Sequence, residues 1–159
     1  MKTMRHPMRG LLMMVALVAL FAGTAFATGG SGASGTFLSR GALTESVQFN
    51  TGDIKFQTKA PVDFVTQTIS FGANSTSGWH AHPGVVMVSV TSGELTHYAS
   101  DCSSETVSAG EAFVESGDHA GLVNSVSGAV VHVTYVVPVG TTDAQLRIDK
   151  PNPGCPGIN

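Results

Sequence analysis

The feature of this sequence that most constrains its fold is a series of short runs rich in Val, Ile, Thr, Phe and Tyr, separated by turns that contain Gly and Ser. β-Branched and aromatic residues favour strands, whereas Gly, Ser and Asp favour the turns between them. Beyond the N-terminal region, no segment has a helical period of apolar residues with capping residues at its ends. The pattern therefore predicts a single all-β domain, built as a sandwich, a barrel or a jelly roll.

The predicted strands cover residues 36–39, 54–58, 63–71, 85–91, 94–98, 105–107, 112–115, 122–125, 129–137 and 145–148. The predicted turns cover residues 72–78, 92–93, 109–110, 116–118 and 127–128. Residues 28–35, rich in Gly, Ser and Ala, are expected to form a flexible leader because they offer little to bury. The folded domain is expected over 36–150, followed by a Pro-rich tail over 151–159.

The first 27 residues have the three parts of a secretory signal peptide. Lys2, Arg5 and Arg9 form a positive region, residues 11–22 form an apolar stretch too short to span a bilayer, and Ala-Phe-Ala at 25–27 is a small-x-small cleavage site. We therefore predict a Sec-type signal peptide over 1–27 and a secreted protein, extracellular or periplasmic, with no membrane attachment after cleavage. The alternative is a retained N-terminal membrane anchor.

Cleavage would leave 132 residues, the size of one domain, which can bury about two thirds of its unfolded surface. Loss of Lys2, Arg5 and Arg9 leaves five Lys and Arg against eleven Asp and Glu, a net charge of −6 with neutral histidines. This balance argues against nucleic acid, anionic membranes and polyanionic substrates as partners, since each needs a cationic surface. A small neutral or cationic molecule fits better.

The two cysteines, Cys102 and Cys155, both lie in turn-like sequence. In an oxidising compartment the simplest interpretation is a disulfide that ties the Pro-rich tail to the domain. Two free thiols or a thiolate metal site remain as alternatives.

His80-Ala81-His82 is the clearest candidate functional feature. Side chains two apart on a strand share a face, so both imidazoles are expected to point at one spot. Such a spot suits a transition metal ion or a polar pocket, and the alternative is a pair of polar residues that line a pocket mouth without metal.

Two segments carry a family resemblance. Residues 78–93, Gly-Trp-His-Ala-His-Pro-Gly-Val-Val-Met-Val-Ser-Val-Thr-Ser-Gly, resemble the first motif of the cupins, and residues 110–119, Gly-Glu-Ala-Phe-Val-Glu-Ser-Gly-Asp-His, resemble the start of the second. The resemblance extends over about residues 63–139, and 78–84, 113–115, 134–140 and 147–155 look like a group of small secreted bacterial cupins of undefined function. It implies a single-domain cupin-type double-stranded β-helix, a jelly-roll barrel, and a homodimer as a family-level expectation.

In metal-binding cupins the ligands are both histidines of the first motif, a glutamate that follows them, and a histidine of the second motif. His80 and His82 match, but the glutamate position falls on Val86, or on Met87 with the longer spacing. Neither of these residues can bind a hard cation.

The second motif is also shifted, because strict spacing puts its histidine position on Gly121 and the histidine itself is His119. Residues 119 and 121 share a face in an extended strand, so His119 could reach the same cavity. The resemblance therefore implies a site of His80, His82 and His119 for one divalent transition metal ion (Zn, Fe, Cu, Ni or Mn), with no organic cofactor.

Five further residues are predicted to line the ligand pocket: His97, His132, Glu115, Trp79 and Tyr135. Each has a structural alternative: the histidines as half-buried, hydrogen-bonded strand residues, Glu115 as a solvated strand end, and the aromatic side chains as core residues. Glu115 could also orient an imidazole or act as a base.

Two hypotheses about function follow. The chain is either a metal-dependent enzyme acting on a small oxygenated molecule, or a metal-free module that binds a small metabolite or sugar without catalysis. Catalytic residues stay unidentified, because no nucleophile motif such as Gly-x-Ser-x-Gly is present.

Overall fold

The computed structural model describes residues 29–117 and 121–158. The predicted signal peptide and His119 therefore lie outside the described residues. The described part forms strands β1 (Ser31–Leu43), β2 (Gln48–Asn50), β3 (Lys55–Gln57), β4 (Val62–Thr76), β5 (His80–Ala81), β6 (Val85–Tyr98), β7 (Ser104–Ser108), β8 (Ala112–Ser116), β9 (Leu122–Ser125), β10 (Ala129–Pro138) and β11 (Ile148–Asp149), with one 3₁₀ turn at Asp143–Gln145.

The main sheet is antiparallel and closes on itself. Its strands run in the order β1-β4-β10-β6-β7, β8 pairs with β6, and β9 pairs with both β4 and β6. Because β9 bridges two strands of the same sheet, the sheet curls into a barrel with an inner and an outer face. The predicted all-β, single-domain barrel is thereby confirmed.

Strand alternation places the core inside this barrel. Along β10 the side chains of Val131, Val133 and Val137 are buried, whereas His132 and Pro138 are exposed. The inward residues of β4, β6, β8 and β10 form one apolar cluster that includes Phe71, Val88 and Phe113. This period of two is what a strand with one solvated face produces.

Two predicted turns are wrong, because the strands continue through them. β4 extends to Thr76, and β6 runs unbroken through Ser92 and Gly93. Gly93 has φ +75 and lies against the backbone of Gly128, where a Cβ would clash, and the register with β10 shifts beside it. The unpaired residue of this bulge is Thr91, and Gly93 itself stays paired with Ala129, so the strand continues instead of making a hairpin turn.

The predicted leader is wrong for residues 31–35, which form the first part of β1. Ala33, Ser34 and Gly35 pair with Phe71, Ser70 and Ile69 of β4. Backbone hydrogen bonds, which need no apolar side chain, hold this segment, and its small residues let it lie close to the barrel.

The C-terminal segment folds back onto the strand that carries the first histidine. Residues 145–148, predicted as a strand, instead form the end of the 3₁₀ turn and the start of β11, which pairs with β5. The predicted disulfide is confirmed, since Cys102 and Cys155 are joined. Cys155 packs with Trp79 and Leu122 in a second buried cluster. Within the described part of the chain, no helix is long and apolar enough to cross a membrane.

Candidate metal centre

His80, His82 and Glu115 converge at one end of the barrel. One nitrogen of each imidazole and one oxygen of the carboxylate lie within 4.8 Å of one another. The two imidazoles meet edge to face, with ring centroids 4.7 Å apart. The prediction that the two histidines point at one spot therefore agrees with the structure.

Backbone pairing on both sides holds the histidine strand in place. On one side Asp149 of β11 is the register partner of His80. On the other side His80 and Gly121 exchange two backbone hydrogen bonds, 2.9 Å and 2.8 Å long. The short β5 strand is thus clamped between the C-terminal segment and the start of β9.

Hydrogen bonds to backbone carbonyls set the orientation of both imidazoles. His82 Nδ1 lies 2.6 Å from the carbonyl oxygen of Leu146, and His80 Nδ1 lies 2.8 Å from that of Gly78. Because a carbonyl only accepts, each Nδ1 carries the hydrogen and donates it. In the neutral imidazole the lone pair then lies on Nε2, which is how protein histidines are prepared to bind a metal.

Glu115 supplies the carboxylate that Val86 lacks. The two residues are direct register partners across β6 and β8, and both side chains face inward. The Glu115 side chain is only 11% exposed, and its Oε2 lies 3.2 Å from His82 Nε2. The motif position expected to hold a glutamate is Val86 on β6, and Glu115 on the neighbouring strand β8 places a carboxylate beside it instead. The alternative interpretation of Glu115 as a solvated strand end is therefore wrong.

The electrostatics of the cluster favour neutral His80 and ionised Glu115. Burial lowers the pKa of His80 to about 4, although the negative charge of Glu115 opposes this. Burial also opposes ionisation of Glu115, but the hydrogen bond with His82 and the charges of His80, His82 and His97 outweigh it, so the pKa of Glu115 lies below its ordinary value. Burial, helped by Glu115, raises the pKa of Tyr135 to about 12.

The cluster separates two cavities. The barrel cavity, about 360 Å³, extends through the interior and has mainly aliphatic and aromatic walls, including Val86, Val88 and Phe113. The mouth cavity, about 510 Å³, lies on the outer side, with walls from His97, residues 99–101 and Gly121. His80, His82 and Glu115 line both cavities. An ion at the cluster would therefore be accessible from both cavities.

Two of the other predicted pocket residues lie at these cavities. Tyr135 lines the barrel cavity, and its ring meets that of His82 with centroids 5.6 Å apart. His97 lines the mouth cavity and has its Nε2 3.5 Å from Glu115 Oε1.

Two predicted pocket residues lie elsewhere. His132 is exposed on the outer face of β10, because it alternates with Val131 and Val133, which point inward. Trp79 is fully buried beside Leu122 and Cys155, and its indole N–H donates to the carbonyl of Ile158. The prediction that these two residues line the pocket is therefore wrong.

The donor set fits a divalent transition metal ion. Because Nδ1 of His82 carries the hydrogen, Nε2 of the neutral ring has a lone pair, and this lone pair faces Oε2 of Glu115. Two acceptors this close require a proton or a cation between them. Glu115 Oε1 is buried and has no hydrogen-bond partner among the described residues. Donors bonded to one ion lie about 2.0–2.2 Å from it and therefore at most about 4.4 Å apart. Because the cluster spans up to 4.8 Å, side-chain rotations have to draw the donors together before one ion contacts all three.

The sequence matches no protein-family profile and no curated protein. An RmlC-like cupin from Shewanella frigidimarina is similar in structure, with 16% identity, coverage of 71% of this chain and 85% of its own, and a TM-score of 0.49. The Cupin 2 conserved barrel domain protein from Leptotrichia buccalis has 17% identity, coverage of 62% of this chain and 41% of its own, and a TM-score of 0.44. An oxalate oxidase has 24% identity, coverage of 48% of this chain and 46% of its own, and a TM-score of 0.41. This chain thus spans less than half the length of the last two proteins.

Two of these proteins are named as cupins. At these identities and TM-scores the likeness says nothing about the site, which depends on this chain's own residues.

Proposed function

We propose that this chain is an exported cupin that binds one divalent transition metal ion through His80, His82 and Glu115 and acts on a small oxygenated molecule in the barrel cavity. The observation that carries the proposal is the convergence of two imidazoles and one carboxylate within 4.8 Å of one another. Two imidazoles with one carboxylate is a donor set that holds Fe, Zn or Mn while leaving coordination positions open.

The residues around the donors perform separate tasks. Leu146 and Gly78 hold the imidazoles through their carbonyl oxygens, so the lone pairs of the rings stay directed into the cluster. The low pKa of His80, about 4, keeps that ring neutral and available near pH 7. When bound, the ion would supply Lewis-acid or redox chemistry toward an oxygen atom of the ligand.

The barrel cavity indicates the kind of ligand. Its volume of about 360 Å³ lies at the small end of ligand pockets, and its walls are more apolar than polar, with Gln67, Asp143 and Arg147 among the polar residues that line it. A compact molecule with an apolar body and one oxygen group directed at His80, His82 and Glu115 fits this chamber. Export is supported by the disulfide between Cys102 and Cys155, a bond typical of oxidising compartments.

Metal titration of the purified protein tests the proposal. Wild-type protein is expected to bind one Co²⁺ or Zn²⁺ ion, and Glu115→Gln is expected to weaken binding by at least about 100-fold, because a charged ligand is lost. The double variant Val86→Glu/Glu115→Val moves the carboxylate to its register partner, whose Cβ lies about 5 Å away on the same face, so binding should return in part. Glu115→Val alone is the matched control.

Equal metal affinity in wild type and Glu115→Gln would refute the assignment of the carboxylate. Absence of metal binding by the folded wild type would refute the metal function altogether. The alternative, a metal-free binding module, is favoured by the hydrogen bond between His82 and Glu115, which a proton satisfies as well as a cation. It predicts that a small ligand binds with equal affinity in the presence and absence of a chelator.

A further inference from the structure

The Glu115 carboxylate has one oxygen whose position the donor cluster does not determine. Oε2 lies 3.2 Å from His82 Nε2, whereas Oε1 points the other way and makes no hydrogen bond to a residue that the structure describes. The terminal torsion of a glutamate is broad, so burial alone does not fix the plane of the carboxylate relative to the two histidines. A contact on the Oε1 side would restrict this rotation.

His97 is the residue on that side. Its Nε2 lies 3.5 Å from Glu115 Oε1, and its Nδ1 lies 3.2 Å from Glu105 Oε1. The ring stacks on Phe113, with centroids 4.7 Å apart and planes at 27°. Phe113 precedes Glu115 by two residues on β8 and shares its inward face. The imidazole is thus held before any ion binds.

Gly121 leaves the space that this contact needs. A Cβ on Gly121 would lie 3.3 Å from Glu115 Oε1, a tight contact, and 3.5 Å from His97 Nε2, an ordinary van der Waals contact, so a side chain there would press on the carboxylate. Gly121 does not have the left-handed φ that would itself favour glycine. The absence of a side chain therefore matters here for the space between His97 and Glu115, not for the backbone.

We propose that His97 is a positioning residue that holds Oε1 of Glu115 so that Oε2 is presented to an ion bound with His80 and His82. The proposal rests on the metal site described above. His97 is not itself one of the converging donors, since the group within 4.8 Å comprises His80, His82 and Glu115 among the described residues. His97 lies at the mouth cavity and acts on the ion through Glu115, while the Glu105 carboxylate holds the other nitrogen of its ring.

The test is a Co²⁺ titration that records both affinity and the visible absorption band, which reports ligand number and geometry. His97→Ala is expected to weaken Co²⁺ binding by about 10- to 100-fold, the usual effect of removing a group that orients a ligand, and to shift the band. His97→Gln should recover most of the affinity, because its amide N–H takes the place of Nε2. Gly121→Ala should weaken binding without removing any polar group, and His132→Ala, on the outer face, should leave it unchanged.

Wild-type affinity and an unshifted band in His97→Ala, beside a Glu115→Gln variant that has lost metal, would overturn the positioning role and leave the metal site standing. Equal losses in His97→Ala and His97→Gln, in parallel with lower melting temperatures of the metal-free proteins, would also overturn it, since packing on Phe113 would explain both. If folded wild type binds no Co²⁺, the positioning role fails together with the metal site.

Discussion

Removal of the disulfide should lower the free energy of unfolding by an amount that follows from the number of residues between the two cysteines. Cys102 and Cys155 are 53 residues apart, and closing a loop of this length in the unfolded chain corresponds to about 4 kcal/mol at 25 °C. At roughly 4 °C per kcal/mol for a domain of this size, the melting temperature should fall by roughly 16 °C.

The assay is a circular dichroism melt of the metal-free protein with and without a reductant. The variant Cys102→Ala/Cys155→Ala is the matched control, because it should melt at the lower temperature and not respond to the reductant. A fall of less than about 4 °C would refute the reasoning, since it would mean that packing of Cys155 beside Trp79 and Leu122 already holds the tail.

Loss of the disulfide should also weaken metal binding at the proposed site. The segment between Leu146 and Cys155 supplies the carbonyl that accepts from His82 and the strand that pairs with β5. Fraying of this segment in reduced protein would remove the carbonyl that orients His82 and the strand beside His80, although the His80 ring keeps its hydrogen bond to Gly78. Metal affinity should therefore fall in the reduced protein at temperatures where the barrel remains folded.

Two further predictions concern the barrel interior. Burial lowers the pKa of His80 from 6.5 to about 4, so as the pH falls the unfolded chain takes up a proton at this residue before the folded protein does. The contribution of the neutral His80 to stability is therefore complete above about pH 6.5, and the free energy of unfolding of the metal-free protein falls by about 3 kcal/mol as the pH is lowered to 4. Calorimetry with a chelator between pH 4 and 7 measures this loss, and an unchanged pH slope in His80→Gln would contradict it. Val131→Ala, which empties space inside the barrel, should cost about 2 kcal/mol, whereas Val130→Ala on the outer face should cost less than half as much. Equal costs in urea unfolding would show that the assigned faces of β10 are wrong.

The sequence was a good guide wherever the physical cause is local. Alternation along residues 129–137 predicts β10 and its buried face, because the period of two follows from strand geometry alone. It was a poor guide at Gly93, since a glycine beside a serine is equally compatible with a turn and with a bulge in a continuing strand. It also failed for residues 31–35, whose strand depends on backbone bonds to β4 and not on their side chains.

The residues of the candidate site likewise divide into those that the sequence could identify and those that only the structure could. His80 and His82 could be found from their spacing, because two residues on one strand share a face. The role of Glu115 could not, since it depends on the register that places β8 opposite Val86. The alternation of His132 with two valines could have indicated an outward side chain, but only the pairing with β4 and β6 decides which face is inside.

The amino-acid sequence alone therefore determined an all-β domain, a pair of imidazoles on one face and a cysteine pair suited to a disulfide, because each follows from local geometry or composition. The tertiary structure alone decided that the Glu115 carboxylate lies beside the two imidazoles, that His97 lies behind it, and that Gly121 leaves room between them. Glu115 lies on β8, His97 on β6 and Gly121 directly before β9, and only the hydrogen-bond register of the closed barrel brings them to one place.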